Sequence, residues 1–347
     1  MMTLSDDKIE IPVYSPHDFE TPNDVRWCPG CGDYAILANM KKYLAKAGVA
    51  REDYVFISGI GCSSRFPYYM NTFGMHSIHG RAPAIASGLK ISRPDLKVFV
   101  ITGDGDALSI GGNHLIHAMR RNMDLTVVLF NNRIYGLTKG QYSPTSEFGK
   151  RTKSSPMGSI DYPIYPISLA LGAEATFIAR TIDVWGSHMQ DIFQKAAEHE
   201  GFSFIEVYQN CVIFNNGSWS FATDRKLREE NILQLTHGEP MIFGKNHDKG
   251  IYLDRTTLQP RVVKVGPEGV SEKDILVHDE NNPNPSLAFF LSRMHYPDFP
   301  DPIGVFRDIK KPSYDYLLNQ QVTQARGSKG KGLVQDLLEE GETWTVN

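Results

Sequence analysis

Cysteine is scarce in this sequence: Cys28, Cys31, Cys62 and Cys211 are all there is in 347 residues. That is too sparse for a disulfide scaffold, and in a reducing compartment such thiols stay reduced unless they hold metal or do redox chemistry. Basic charge is not in excess either. The formal net charge is -4, which leaves no electrostatic footprint for nucleic acid. No apolar run reaches the roughly eighteen residues a membrane-spanning helix needs. The opening MMTLSDDKIEIPVYS has neither a basic start nor an apolar stretch, so no secretory leader is expected. The expectation is a soluble cytoplasmic protein with neither nucleic acid nor membrane as partner.

What is present is a chain long enough to bury a sizeable core. Residues 1–24 read as an N-terminal arm broken by Pro12, Pro16 and Pro22. From 25 to 235, short runs such as YVFISG, KVFVIT, LTVVLF and FSFIEVY lack polar alternation and are separated by helical patterns. Strands of that kind are buried on both faces, which predicts an α/β fold with a doubly wound parallel sheet. DYAILANMKKYLAKA places Ile36, Leu37, Met40, Tyr43 and Leu44 on one helix face, and Gly48 ends it. Residues 236–347 are rich in Pro, Asn and Asp with few buried-strand patterns, and read as a C-terminal extension that packs on a partner subunit. Within it ARGSKGKG reads as a flexible basic linker, followed by a short amphipathic helix in LVQDLLEE.

The chemistry concentrates at two strand ends. Gly103-Asp104-Gly105 closes one buried strand and Asn131-Asn132 closes the next, with Asn131 standing 26 positions after Gly105. In open parallel sheets ligands bind at those ends. Mg2+ takes hard oxygen ligands and shares them with phosphates, and Asp104, Asn132 and a nearby backbone carbonyl can supply three. Gly103 and Gly105 let the backbone approach a diphosphate, and a helix starting near Asp106 points N–H groups at it. Leu108 stands where a dinucleotide fingerprint needs glycine. The four cysteines leave three readings open: an iron–sulfur cluster, a structural zinc, or a redox dithiol at Cys28-Pro-Gly-Cys31.

The GDG and NN pair resembles the signature of thiamine diphosphate enzymes. With WCPGCGD, GIGCSSR, GMHSIHGRA, TGDGDALSIGGNH and NNRIYGLTKGQ in order, residues 20–225 resemble the beta subunit of 2-oxoacid:ferredoxin oxidoreductases, most of all the 2-oxoglutarate branch. The resemblance implies a thiamine diphosphate-binding fold with Mg2+ held by Asp104, Asn132 and the Ile134 carbonyl. It implies one [4Fe-4S] cluster on Cys28, Cys31, Cys62 and Cys211. Ile60, Gly61, Cys62, Ser63 and His79 are expected beside the cofactor, and Gly103, Gly105, Asp106, Tyr135, Gly136 and Leu137 around its diphosphate or thiazolium. Thr138 and Lys139 are expected at the substrate, because a 2-oxoacid brings a carboxylate that a cation pairs. Arg65 is a weaker candidate for a second carboxylate, and His76, His114 and His117 read as packing residues.

The implied reaction is oxidative decarboxylation of 2-oxoglutarate to succinyl-CoA, with coenzyme A as co-substrate and ferredoxin as electron acceptor. The reverse carboxylation is open to the family with a strong reductant. An alpha (or fused gamma-alpha) subunit is expected to supply the glutamate that activates thiamine, so the isolated chain is expected to be inactive. Pyruvate or a branched-chain 2-oxoacid, a non-redox thiamine lyase or ligase, and a zinc-stabilised binding subunit are the alternatives.

Overall fold

Runs of aliphatic and aromatic residues flanked by glycine and charge become the central strands. The computed structural model describes residues 12–344 and Val346, so the first part of the expected arm lies outside the described residues. The chain runs α1 (Asp33–Leu44), β1 (Tyr54–Ser58), β2 (Phe73–His76), α2 (Ala82–Ser92), β3 (Lys97–Gly103), α3 (Gly112–Arg120), β4 (Thr126–Asn131), α4 (Pro166–Gly172), β5 (Phe177–Ile182), α5 (Gly186–Glu198) and β6 (Ser203–Tyr208). There follow α6 (Ser220–Thr223), α7 (Arg225–Asn231), β7 (Ile232–Gln234), β8 (Ile242–Phe243), β9 (Lys249–Leu253), β10 (Pro260–Lys264), α8 (Ser286–Ser292), β11 (Asp301–Asp308), α9 (Tyr314–Lys329) and α10 (Val334–Glu339).

The main sheet has eight strands in the order β2-β1-β3-β4-β6-β5-β11-β7. It is parallel except where β11 runs antiparallel to β5. β1, β4, β5 and β6 are buried along their whole length, which is why their sequences carry no polar alternation. Successive side chains point to opposite faces. Val98, Val100, Val127 and Leu129 pack on one side with α2, α3 and α4. Phe99, Ile101, Val128 and Phe130 pack on the other with α1 and α5. α1 buries Ile36, Leu37, Met40, Tyr43 and Leu44, a stripe at helical spacing. Each such large apolar side chain contributes about 1.5–3 kcal/mol on burial, and together they make the sheet the rigid platform of the site.

The reading of residues 236–347 as an extension almost without buried strands needs correction. β11 lies inside the main sheet between β5 and β7, and β8, β9 and β10 form a separate three-stranded antiparallel sheet. β11 reads DPIGVFRD, and its proline, glycine and charges hide an otherwise apolar run. Those charges find partners elsewhere in the chain: Tyr208 Oη donates to Asp301 Oδ2 at 2.8 Å and Arg307 pairs with Glu174 at 3.3 Å. The expected flexible linker also changes, since α9 continues to Lys329 and ends at Gly330 with φ of +77°. The helix expected in LVQDLLEE forms as α10.

Candidate active site

The chain leaves β1 towards β2 and leaves β3 towards β4, on opposite sides, so the loops after β1 and β3 diverge. A crevice opens at such a switch point, here with an empty volume of about 560 Å3, part of it open to solvent. Ile60, Gly61, Cys62 and Ser63 line it from the loop after β1, and Gly103, Asp104, Gly105 and Asp106 from the end of β3. Asn132, Ile134, Tyr135, Gly136, Leu137 and Thr138 line it from the loop after β4, and His79 from the loop before α2. Lys139 is absent from the lining; it is exposed, one residue beyond, with φ of +76°. Two lining residues escaped the sequence reading, Asp33 at the start of α1 and Phe130 in β4.

Asp104 is 2% exposed. Ser143 Oγ and Thr145 Oγ1 each donate to its Oδ2 at 2.5 Å. Burial pushes its carboxyl up to about 6, and the two hydroxyls act against that rise. Asn132 Oδ1 accepts from Ile134 N at 3.1 Å, folding the loop back on itself, and Arg133 between them takes φ of +56°. Tyr135 Oη donates to the Gly105 carbonyl at 3.0 Å, and a Cβ on Gly105 would lie 2.1 Å from the Tyr135 ring. A carboxylate, an amide oxygen and glycine backbone at helix-facing strand ends are a donor set that fits a hard cation carrying a diphosphate. Among the described residues no three His, Cys, Asp or Glu side chains converge on one point as a single-ion site, so a cation here takes its remaining oxygens from backbone, water or phosphate.

Asp106 was expected around the cofactor, and it lines the cleft, but its oxygens are taken up by protein. Oδ1 accepts from Ile60 N at 3.0 Å and Gly80 N at 2.7 Å and meets His79 Nδ1 at 2.6 Å, while Thr102 Oγ1 donates to Oδ2 at 2.7 Å. It therefore pins three loops together beneath the cleft. A carboxylate at Nδ1 holds the proton on that nitrogen, so the neutral His79 ring offers Nε2 as an acceptor and becomes a donor there only as imidazolium.

The four cysteines are free thiols. A Cβ on Gly136 would lie 3.6 Å from Cys62 Sγ and 3.7 Å from Cys211 Sγ, so both sulfurs sit beside a cleft residue. Cys31 N bonds Cys28 O at 3.0 Å, and Gln209 Nε2 donates to Cys31 Sγ at 3.2 Å. Trp27 Nε1 donates to the Cys62 carbonyl at 2.7 Å and ties the two cysteine loops together. Burial, then the charge of Asp33, pushes the Cys62 thiol up to about 12. Cys28 and Cys211 act on it as well, and Cys62 and Cys211 act on Cys31, so the four groups share one electrostatic neighbourhood. As they stand, no three of these thiols converge on a single-ion site among the described residues. Their protons must leave on ligation.

Arg65 donates to the Arg26 carbonyl at 3.2 Å and does not line the cleft. His76 packs against Tyr68 with the rings tilted by 39°, His114 is half-buried and His117 exposed on α3. Sequence reasoning missed Ser143, Thr145, Asp33 and Gln209. In YSPTS the hydroxyls read as loop composition, and nothing local says that the segment folds back onto Asp104.

Residues 59–207 match the family model described as thiamine pyrophosphate enzyme, C-terminal TPP binding domain. The chain is 52% identical to the 2-oxoglutarate oxidoreductase subunit KorB of Mycobacterium tuberculosis, over 95% of this chain and 88% of that one. It is 41% identical to the 2-oxoglutarate synthase subunit KorB of Methanocaldococcus jannaschii, over 62% of this chain and 81% of that one. Among solved structures, the 2-oxoglutarate:ferredoxin oxidoreductase from Magnetococcus marinus with 2-oxoglutarate, coenzyme A and succinyl-CoA bound superposes with a TM-score of 0.75. That match has 29% identity and covers 96% of this chain and 98% of that one.

Proposed function

We propose, from the premise that the chain belongs to the beta subunits of the 2-oxoacid:ferredoxin oxidoreductases and resembles their 2-oxoglutarate members, that it serves with an alpha subunit to oxidise 2-oxoglutarate to succinyl-CoA. The cleft holds thiamine diphosphate through Mg2+, and the four cysteines hold one [4Fe-4S] cluster that passes electrons to ferredoxin. The observation that carries this is the juxtaposition of the two sites: Gly136 and Cys62 both line the cleft, and a Cβ on Gly136 would touch the sulfurs of Cys62 and Cys211.

When bound, thiamine diphosphate supplies the electron sink for decarboxylation and the cluster a one-electron outlet. The chain's own residues hold and orient. Asp104, Asn132 and the Ile134 carbonyl are the cation's ligands, Gly103 lines the cleft where the diphosphate lies, and Gly105 makes room for the Tyr135 ring beside it. His79, fixed by Asp106, faces the cofactor. Thr138 at the cleft and Lys139 at its rim receive the substrate carboxylate. Among the described residues, the acids lining the cleft are Asp33, Asp104 and Asp106, with no glutamate. The glutamate that activates thiamine therefore comes from the alpha (or fused gamma-alpha) subunit. The C-terminal arm, with Leu333, Val334, Leu337 and Leu338 exposed on one side of α10, packs on that partner. No helix among the described residues is long and apolar enough to cross a membrane.

The test is anaerobic co-purification with the alpha subunit and a visible spectrum before and after adding 2-oxoglutarate with coenzyme A. A broad iron–sulfur absorbance that bleaches is the expected result. Bleaching only with pyruvate or a branched-chain 2-oxoacid moves the substrate, and a colourless protein containing zinc sinks the redox reading. Cys211→Ser should remove iron from the complex; an unchanged spectrum would assign the cluster to the partner.

A further inference from the structure

One four-residue turn, Ser143-Pro144-Thr145-Ser146, reaches both halves of the cation site without lining the cleft. Its three hydroxyl-bearing residues are 3–4% exposed. Ser143 Oγ and Thr145 Oγ1 both contact Asp104 Oδ2, each at 2.5 Å, and neither bonds Oδ1. Thr145 Oγ1 also lies 2.9 Å from Asn131 Oδ1, and Ser146 Oγ lies 2.7 Å from the Arg133 carbonyl. The turn is closed by Ser143 N donating to Ser146 Oγ at 2.8 Å.

The protons can be assigned. Asn131 Nδ2 must donate to Glu206 Oε1 at 2.7 Å, and Glu206 is itself held by Arg180 at 2.7 Å. That fixes the amide so that its oxygen faces Thr145, and this oxygen already accepts from Arg133 N at 3.2 Å. The single Thr145 proton therefore has two acceptors, Asp104 Oδ2 at 2.5 Å and Asn131 Oδ1 at 2.9 Å, and the nearer, charged carboxylate oxygen takes it. Ser146 has its hydroxyl proton on the Arg133 carbonyl, which leaves the Ser143 proton for Asp104 as well. Two donors on one carboxylate oxygen stop the group from rotating and set aside the other oxygen.

We propose that Ser143, Thr145 and Ser146 form a hydroxyl clasp that presents Asp104 Oδ1 to the cation and holds Asp104 in register with the Asn132–Ile134 loop, Thr145 being the principal positioning residue. This rests on Asp104 being a cation ligand. The clasp bridges two strand ends: Asp104 follows β3, while Asn131 closes β4 and Arg133 lies between the other two ligands. Ligand-orienting partners of this kind are worth roughly 10- to 100-fold in metal affinity.

The experiment uses the intact alpha–beta complex, stripped of divalent cation and thiamine diphosphate. Retention of thiamine diphosphate is measured by equilibrium dialysis against increasing Mg2+, and the half-saturating Mg2+ concentration is the readout. Thr145→Val should raise that concentration by roughly 10- to 100-fold, Thr145→Ser should restore most of it, and Ser143→Ala should raise it less. The visible absorbance of the complex should not change. Half-saturation at the wild-type concentration in both Thr145→Val and Ser143→Ala overturns the clasp. So does failure of Thr145→Ser to rescue, since that would mean the threonine methyl matters and not its hydroxyl. If Thr145→Val does not fold, Thr145→Ser and Ser143→Ala decide alone. Wild-type retention that is indifferent to Mg2+ is a separate result, which removes Asp104 as a ligand and the clasp with it.

Discussion

Single residues in this site are chosen as much for what they omit as for what they bring. Gly105 has room for no side chain, because a Cβ would sit 2.1 Å from the Tyr135 ring. Gly105→Ala should therefore displace Tyr135, cost roughly 1–3 kcal/mol as an overpacked position does, and lower retention of thiamine diphosphate. Denaturant unfolding together with cofactor retention checks both parts. Asp106 shows the opposite economy, one buried carboxylate serving Ile60, His79, Gly80 and Thr102. The motif Gly103-Asp104-Gly105 was legible because three adjacent residues carry it. The partners of Asp104 were not, since Ser143 and Thr145 stand 39 and 41 positions away in a stretch that reads only as loop.

Elements bury their polar residues with partners that lie on other elements. On α5, His188 is 8% exposed and its Nδ1 meets Thr181 Oγ1, on β5, at 2.8 Å. Burial pushes its imidazolium down from the ordinary 6.5 to about 4. The native state therefore binds fewer protons than the unfolded chain between those values. The stability from the neutral ring is complete above pH 6.5 and is lost as pH falls towards 4. A loss of about 3 kcal/mol across that window is expected at order-of-magnitude level, and His188→Gln should flatten the slope. Denaturation midpoints at several pH values would reveal it, and identical slopes in the two proteins would count against it. Helix α1 and the buried strands were legible because period and burial coincide in them. β11 was not, because Pro302, Gly304 and three charges interrupt its pattern and find their partners only in the folded sheet.

At the scale of the whole molecule the chain is a platform with an unattached end. Leu333, Val334, Leu337 and Leu338 are 66–76% exposed, a stripe left uncovered among the described residues. A chain ending at Gly330 should melt as the full chain does, within about 1 kcal/mol, yet co-purify less with the alpha subunit. Equal co-purification would remove the arm from the interface. The purified subunit alone should turn over no 2-oxoglutarate, and activity without the partner would show that the activating acid lies in this chain.

Local patterns were enough to read the doubly wound fold, the family, and most of the residues that line the cleft. These depend on local pattern and short motifs, and burial on both faces of a strand or the backbone freedom of a glycine is written where it acts. It took the folded chain to bring Cys62 and Cys211 together beside Gly136, to set a distant hydroxyl turn on Asp104, and to complete the sheet with β11. Those arrangements come from chain segments far apart in sequence, brought together by the burial of two apolar faces. No local pattern encodes which partner a buried polar atom will find once they meet.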